Sequence, residues 1–575
     1  MVNLKINGQD ISVPEDYTIL DAAREVGINI PTLCYLKDLN QIGACRMCLV
    51  EVKGARALQA ACVYPVSEGL EVLTNSENVR KARRATLELI LSNHEKKCLT
   101  CIRNRNCELQ NLAEELGVDE LRFEGENIEH EIDCSSTSLV RDNNKCILCR
   151  RCIAACDNQE ISVISAVNRG FSTEIRTAFN QPMSDVACIY CGQCIVACPV
   201  GALYEKTSIP QVTRAIDNPE KHVVVQTAPA VRAALGEEFG LPIGTPVTGK
   251  MVAALRRLGF DKVFDTDTAA DLTIMEEGTE FIERFTKQEN LPLITSCSPG
   301  WVKFCEHYYP EFTDNLSTSK SPMEIFGAVI KSYYAEKSGI DKENIYSVAV
   351  MPCTSKKYEA SRPEHSKDST PDIDASLTTR ELARMIKQAG IDFASLPDEE
   401  FDQPFGIASG AGVIFGTTGG VMEAAIRTVY EILENKPLEN LNITEVRGLE
   451  GVKEASLTIA GKEVSVAVVH GTKNARIILD NIKAGKHYDF IEIMACPGGC
   501  IHGGGQPIVN SKTKAVTDVK ALRAKALYDE DEASLIRKSH ENPYIQTLYK
   551  EYFEKPGSHK AHELLHTTYT KRDKF

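Results

Sequence analysis

The sequence predicts a multidomain chain, α+β up to residue 209 and α/β from about residue 210 onward. Three observations carry that expectation. The chain has 575 residues with 43% hydrophobic content, enough for several separate cores. Its 21 cysteines crowd into the first part at metal-ligand spacings and thin out beyond about residue 210. From there on, short apolar runs alternate with helical stretches.

Residues 1–78 open with two short strands around Asn7-Gly8, a type I′ hairpin signal, and a helix over Thr18 to Val26. Cys34, Cys45, Cys48 and Cys62 follow on a β-grasp-like segment. Their spacing, C-x10-C-x2-C-x13-C, resembles the plant-type ferredoxin order, a [2Fe–2S] ligand set. Gly43 and its small neighbours let backbone amides approach sulfide. Residues 79–125 begin with a helix over 79–93 that leads to a Cys-rich loop. His94, Cys98, Cys101 and Cys107 form H-x3-C-x2-C-x5-C there. One imidazole and three thiolates could hold zinc equally well. The place between two cluster-binding regions favours a [4Fe–4S] cluster, whose potential a neutral histidine ligand would tune.

Residues 126–209 contain an internal repeat, CILCRRCIAAC and CIYCGQCIVACP. Cys146, Cys149, Cys152 and Cys156 form C-x2-C-x2-C-x3-C. Cys188, Cys191, Cys194 and Cys198 repeat it and end in Pro199. In two-cluster bacterial ferredoxins the fourth cysteine of each run serves the other cluster. By that crossover Cys146, Cys149, Cys152 and Cys198 hold one [4Fe–4S], and Cys156, Cys188, Cys191 and Cys194 the second. Four centres in series read as an electron wire with a surface donor and a terminus within residues 210–575.

In that last segment the apolar runs 222–229, 292–297, 346–353 and 490–496 read as strands, with helical stretches such as 249–258 and 271–287 between some of them. Three of the four runs end in a cysteine. Open α/β sheets bind ligands beyond the carboxyl ends of their strands, so these cysteines aim at one crevice. The glycine run 409–420 is not G-x-G-x-x-G and reads as close packing near a cofactor. Acidic residues exceed basic ones by 80 to 65, a net charge of −15, which argues against nucleic acid as the main partner. No apolar run reaches the roughly 18 residues of a membrane span. The start, MVNLKINGQDISV, alternates polar and apolar residues unlike a signal peptide, so a cytoplasmic location is expected. From about residue 515 a charged helical tail is expected, closing on a solvated TKRDKF.

Five cysteines remain for the terminus: Cys297, Cys305, Cys353, Cys496 and Cys500. Their contexts are TSCSPGW (295–301), MPCTSKKYE (351–359) and MACPGGCIHGGGQP (494–507). These resemble the three signature segments of [FeFe]-hydrogenases, and the resemblance extends over essentially the whole chain, in the cluster order of the larger monomeric clostridial-type members. It implies a large catalytic domain with an H-cluster: a [4Fe–4S] cubane joined through one cysteine to a two-iron subsite with CO, cyanide and azadithiolate ligands. It implies that Cys353 and Cys496 bind the cubane and that Cys500 bridges both parts. Lys356 would donate to a cyanide, and Pro229, Ala230, Met351, Ser355 and Met494 would line the cofactor. The glycine pairs and runs around 498–505 would let backbone approach it. Protons would pass along Glu280, Ser317, Glu277 and Cys297, with Arg284 on the same helix face as the two carboxylates.

Two departures from the family pattern bear on the site. The usual TSCCPGW has a proton-donor cysteine followed by a cubane-ligand cysteine. Here Ser298 stands in the ligand position, so either Cys297 donates protons and Ser298 supplies an alkoxide, or Cys297 slips into the ligand role. A serine often follows the Ala-Pro near the subsite; here Ala230 does, and one hydrogen bond to cyanide is lost. Cys305 reads as a buried structural thiol, and Cys134 has no assigned partner. The resemblance implies an oxidoreductase interconverting protons and hydrogen, a monomer served by ferredoxin and loaded by H-cluster maturation proteins. Two alternatives are the hydrogenase subunit of an NADH-linked electron-bifurcating complex, which often carries extra terminal clusters, and a sensory or cluster-assembly relative without hydrogen chemistry.

Overall fold

A computed structural model describes residues 1–574; Phe575, the end of TKRDKF, lies outside the described residues. The first strands, Val2–Ile6 and Gln9–Val13, pair antiparallel across Asn7 (φ 53°) and Gly8 (φ 85°), the two positive φ values a type I′ turn requires. They join Glu71–Leu73, Leu49–Val52 and Gln59–Ala60 in a five-stranded sheet. The helix Ile19–Glu25 packs Ile19, Leu20, Ala22 and Ala23 onto it, completing a β-grasp. Thr18 and Asp21 close its N-terminus as a reciprocal capping box.

The Glu77–Ser92 helix starts two residues ahead of expectation because Ser76 caps it. It leads through a short turn at Cys98–Thr100 to a helix over Glu108–Glu115. The repeat then appears in the backbone itself. Leu148 and Arg150 take positive φ in the first copy, and Tyr190 and Gly192 take it in the second. Each pair precedes a short helix, Arg151–Asn158 or Gln193–Ala197, and the two helices pack together. Strands Leu139–Arg141 and Leu203–Glu205 close the unit.

The remainder contains two four-stranded sheets, not one. In the first, Lys262–Asp265, His222–Thr227, Ile345–Met351 and Ala375–Thr378 all run parallel. In the second, Leu293–Ile294, Phe490–Met494 and Lys462–His470 run parallel, and Val452–Ile459 returns antiparallel. Near-continuous burial of these strands explains their unbroken apolar runs. The expected helix at 271–287 is longer, Thr266–Lys287, because Asp265 caps it directly after a strand. It packs against the helices Pro322–Val329 and Gly420–Glu434.

The C-terminal segment is helical, over Ser511–Val516, Val519–Ala533, Pro543–Leu548 and His559–Leu565. Its last residues are largely exposed, as expected, but they are also tethered to the core. Thr570 N–H and Arg572 Nε donate to the buried Glu306 carboxylate at 3.2 and 2.6 Å. The Tyr569 hydroxyl donates to the Ser317 carbonyl at 2.6 Å. Buried acceptors of the core thus hold the basic tail. Asp531 pins the Val519–Ala533 helix in the same way: its carboxylate receives Arg427, fully buried, and Arg537. Asp531→Asn would leave Arg427 without full charge compensation. It is expected to destabilise the domain by about 3 kcal/mol, read as a lowered midpoint in scanning calorimetry of the loaded protein.

Candidate active site

The N-terminal thiols converge as their spacing predicts. The Cys34 and Cys45 amides each point at the other's sulfur, at 3.4 and 3.5 Å, and the Cys48 and Cys62 sulfurs lie 3.3 Å apart. His94 is largely buried, its Nδ1 has no hydrogen-bond partner, and burial holds its pKa below the ordinary value. A neutral imidazole with an idle buried lone pair suits a metal ligand. Cys107 lies beside Cys101, and a Cβ on Gly201 would come within 2.7 Å of the Cys101 sulfur.

The repeat crosses over in space. One cavity is lined by Cys146, Cys149, Cys152 and Cys198 together with Arg141. Cys194 neighbours Cys191, Cys188 and Cys156 instead. Positive φ before each helix turns amides inward, and the Leu148 N–H reaches the Cys146 sulfur at 3.4 Å. Burial pushes the Cys146 and Cys156 thiols up to about 12 each. Metal binding at these two thiols would displace their protons.

The carboxyl ends of four strands from both sheets meet at one crevice. Cys353 follows Met351, Cys496 follows Met494, Cys297 follows Ile294, and buried Pro229-Ala230 follow Thr227. Cys500 lies beside Cys353, Cys496 and Cys297. The backbone N–H groups of Ser355 and Lys356 aim at the Cys353 sulfur. Cys191 of the repeat reaches this crevice, its carbonyl 3.9 Å from the Cys496 sulfur. Glycines allow that approach. A Cβ on Gly504 would fall 2.3 Å from the Cys191 oxygen and 2.6 Å from Gly192 Cα, and one on Gly503 2.2 Å from the Pro352 oxygen. The glycines expected to admit the cofactor thus also admit protein backbone.

Lys356 is buried and spans Ser321 Oγ at 2.7 Å and Glu359 Oε2 at 2.6 Å. Burial works against its charge, but Glu359 outweighs burial and holds the pKa above the ordinary value. Its third N–H remains for a ligand beside Cys297, Cys353 and Cys500. Met351 and Met494 are buried, as expected of lining residues. Ser355 is different: its hydroxyl donates to the Ile189 carbonyl at 2.8 Å and joins the domains. Gly416 abuts Ala230, which fits the close packing expected of the 409–420 run. Cys305 is buried on the Pro299–Tyr308 helix, and Cys134 is exposed.

The residues expected to relay protons line up as a file. Glu280 Oε2 receives the Ser317 hydroxyl at 3.3 Å, and Arg284 donates to Oε1 at 2.6 Å. The Ser317 hydroxyl lies on Glu277 as well. Burial pushes the Glu277 carboxyl up to about 8, with Glu280 and Glu492 adding to the shift. Cys297 comes next. Burial first, then Glu277, hold its thiol well above the ordinary value. The neighbouring Ser298 points elsewhere than Glu277, its Oγ accepting the N–H of Ala495, the residue before Cys496, at 3.2 Å. Sequence reasoning missed Glu359 and Glu492. Glu359 closes the MPCTSKKYE segment, three residues after Lys356. Glu492 is a buried strand carboxylate that accepts the Gly419 and Met422 N–H groups at 2.6 and 2.8 Å, and an acidic residue inside an apolar strand was its signal.

Comparison with known proteins agrees with this geometry. The family described as iron only hydrogenase large subunit, C-terminal domain, matches residues 221–504, and iron hydrogenase small subunit matches 517–572. A 2Fe-2S iron-sulfur cluster binding domain matches 1–77, the NADH-ubiquinone oxidoreductase-G iron-sulfur binding region 83–122, and a 4Fe-4S dicluster domain 145–202. The chain is 50% identical to the NADP-reducing hydrogenase subunit HndD of Solidesulfovibrio fructosivorans, over 100% of both chains. It is 46% identical to iron hydrogenase 1 of Clostridium pasteurianum, over 99% of this chain and 100% of that one. A solved apo [FeFe]-hydrogenase variant from Chlamydomonas reinhardtii superposes with a TM-score of 0.57 at 42% identity, covering 64% of this chain and 100% of that one. No helix among the described residues is long and apolar enough to cross a membrane. The cysteine cradles, the cluster-binding domains and the full-length relatives together place this chain in the iron-only, or [FeFe], hydrogenase family, as an oxidoreductase of hydrogen metabolism that carries [2Fe–2S], [4Fe–4S] and H-cluster cofactors.

Proposed function

We propose that this chain catalyses 2 H⁺ + 2 e⁻ ⇌ H₂ in the crevice between its two sheets. The observation that carries the reading is one convergence. A buried carboxyl file ends at Cys297 in the same crevice that Cys191 meets from the electron side. The residues fit the absent groups. Cys353, Cys496 and Cys500 would hold the H-cluster, with Cys500 as the bridging thiolate. When bound, that cluster supplies the metal at which electrons and protons combine. Lys356 would orient it by donating to a cyanide, a charge-assisted bond that Glu359 pre-positions. Buried Met351, Met494, Pro229 and Ala230 would exclude water from it.

Electrons would arrive through four accessory clusters. Cys34, Cys45, Cys48 and Cys62 hold a [2Fe–2S], and His94, Cys98, Cys101 and Cys107 a [4Fe–4S]. The crossed sets of residues 126–209 hold two more, the second ending beside Cys496. Domains at 1–78, 79–125, 126–209 and 210–575 follow this wire.

Ferredoxin is the first candidate partner, with the chain a monomer loaded by maturation proteins. A second reading is favoured by the full-length match to an NADP-reducing hydrogenase subunit. That relative matches this chain over its whole length, so the domain order does not separate the two readings. Reduction of the loaded chain by ferredoxin alone, against a need for a co-purifying nucleotide-binding subunit, decides between them.

Fully loaded protein is expected to contain about 20 irons per chain and to show CO and cyanide infrared bands. A zinc equivalent in place of four irons would overturn the His94 assignment. Glu277→Gln keeps the shape of the carboxyl but cannot pass a proton by ionising, and is expected to slow turnover about a hundredfold or more with unchanged infrared bands. In the wild type, proton-limited evolution falls as pH rises through about 8, where Glu277 loses its proton. Wild-type rates in the variant would end the relay proposal. Because Cys297 faces Glu277 while Ser298 faces Ala495, the ordinary family register is the expected one. Cys297→Ala then retains the cubane signal and loses turnover, and Ser298→Cys adds a fourth thiolate without displacing Cys297. Loss of the cubane signal in Cys297→Ala would reverse the assignment.

A further inference from the structure

Glu280, the outer carboxyl of the relay, is sealed on one side. Arg284 donates to its Oε1 and also to the carbonyls of Asn290, Asp314, Asn315 and Leu316 at 3.1 to 3.3 Å. A guanidinium stays protonated, so it can position Glu280 but cannot hand it a proton. The other oxygen, Oε2, receives the Thr318 N–H at 3.0 Å and the Thr318 hydroxyl at 3.1 Å. That hydroxyl lies 2.8 Å from His566 Nδ1. On its far side, His566 Nε2 lies 3.0 Å from Glu276 Oε2. The His566 side chain is 7% exposed, and its ring sits 4.2 Å, centroid to centroid, from the exposed His562.

One assignment of the donors gives the file a direction. Thr318 has one hydroxyl hydrogen, and given to Glu280 it leaves the oxygen to accept from His566 Nδ1–H. Glu276 already accepts the Tyr549 hydroxyl and the Gly557 N–H, at 2.5 and 2.9 Å. As an imidazolium, His566 donates from both nitrogens, to Thr318 and to Glu276. In that form the file points from the C-terminal segment toward Glu280.

We propose that His566 loads protons onto Glu280 through Thr318, and that Arg284 is only a positioning residue. The inference rests on the relay reading of Glu280, Ser317, Glu277 and Cys297. In the step, the His566 Nδ1–H bond breaks and its proton passes to the Thr318 oxygen. The hydroxyl's own proton passes to Glu280 Oε2. The hydroxyl is regenerated, His566 is left neutral, and no electron moves. Nδ1 faces Thr318, so reloading it takes a turn of the His566 ring toward the exposed His562, where solvent returns the proton, and hydrogen oxidation runs the file backward. The charged and titratable groups around His566 are Glu276, Glu280 and Arg284 on the Thr266–Lys287 helix, Tyr549, and His562 on its own helix. Lys320 packs there through its backbone, its ammonium turned to Asp372 at 2.7 Å.

The test uses loaded full-length protein and four variants, with iron content and CO and cyanide infrared bands as controls for intact cofactor. Thr318→Val removes the hydroxyl and keeps the shape. His566→Gln keeps hydrogen-bonding capacity but cannot carry a net proton. Each is expected to lower hydrogen evolution about tenfold and to change its pH profile, while Thr318→Ser retains the wild-type rate and profile. The double variant Thr318→Val/His566→Gln should lose no more than either alone, because both interrupt one file. Equal losses in Thr318→Ser and Thr318→Val, or additive losses in the double variant, would assign a packing role and overturn the proposal. So would an unchanged rate and profile in Thr318→Val while Glu277→Gln stops turnover. If Glu277→Gln itself leaves turnover intact, the relay reading fails first. Should His566→Gln not accumulate, the Thr318 pair decides alone.

Discussion

Water is kept from the crevice where the two sheets meet, and the chemistry of every group there follows from that exclusion. Cys297, Cys353, Cys496, Cys500, Glu277 and Lys356 all sit where charge is poorly solvated. A lone thiolate or carboxylate is unfavourable in such a place, so the thiols stay neutral until iron replaces their protons. Glu277 stays protonated to about 8 for the same reason. Burial opposes the Lys356 charge, and Glu359, 2.6 Å away, is the main group that offsets it. Burial thus raises thiols and a carboxyl alike by one physical effect, and the partners of each group set the rest of its chemistry.

That exclusion depends on close backbone approach. Gly503, Gly504 and Gly505 let the last signature segment lie against Pro352, against Cys191 and Gly192, and against Thr378. Thr354 and Ser355 then hydrogen-bond to the Tyr190 and Ile189 carbonyls at 2.7 and 2.8 Å. Gln159 ties the other side, donating to the Ala495 carbonyl at 3.0 Å and accepting the Thr472 N–H at 2.8 Å. The repeat is therefore built into the wall of the crevice, not attached to it, and Cys191 reaches the crevice without a linker.

The C-terminal segment serves the proton side in an equivalent way. Its end covers Ser317 and Glu306, and His566 reaches the Glu276 and Thr318 pair. Read as sequence, TKRDKF looks like an ordinary solvated end, because charge alone carries no partner. The buried Glu306 that receives Arg572 and Arg362 lies more than 260 positions away from the tail. Ser355 shows the same limit. Its segment marks it as a cofactor neighbour, yet its hydroxyl is turned to another domain by a carbonyl that no local pattern discloses.

The sequence by itself determined whatever depends on spacing along one short segment. The crossed cysteine repeat, the Asn7-Gly8 turn, the strands that end in cysteines and the helical pairing of Glu277 with Glu280 are of this kind. Local geometry settles the turn, the strand ends and the helical pair over a few residues, while the cysteine repeat shows itself through its repeated spacing. Tertiary structure decided what depends on distant surfaces meeting. It split the apolar strands between two sheets and turned Cys297 toward Glu277 while Ser298 faced Ala495. It docked the basic tail and brought His566 to Thr318. Those outcomes rest on burial and on partners hundreds of residues apart, and neither has a period or a spacing to read.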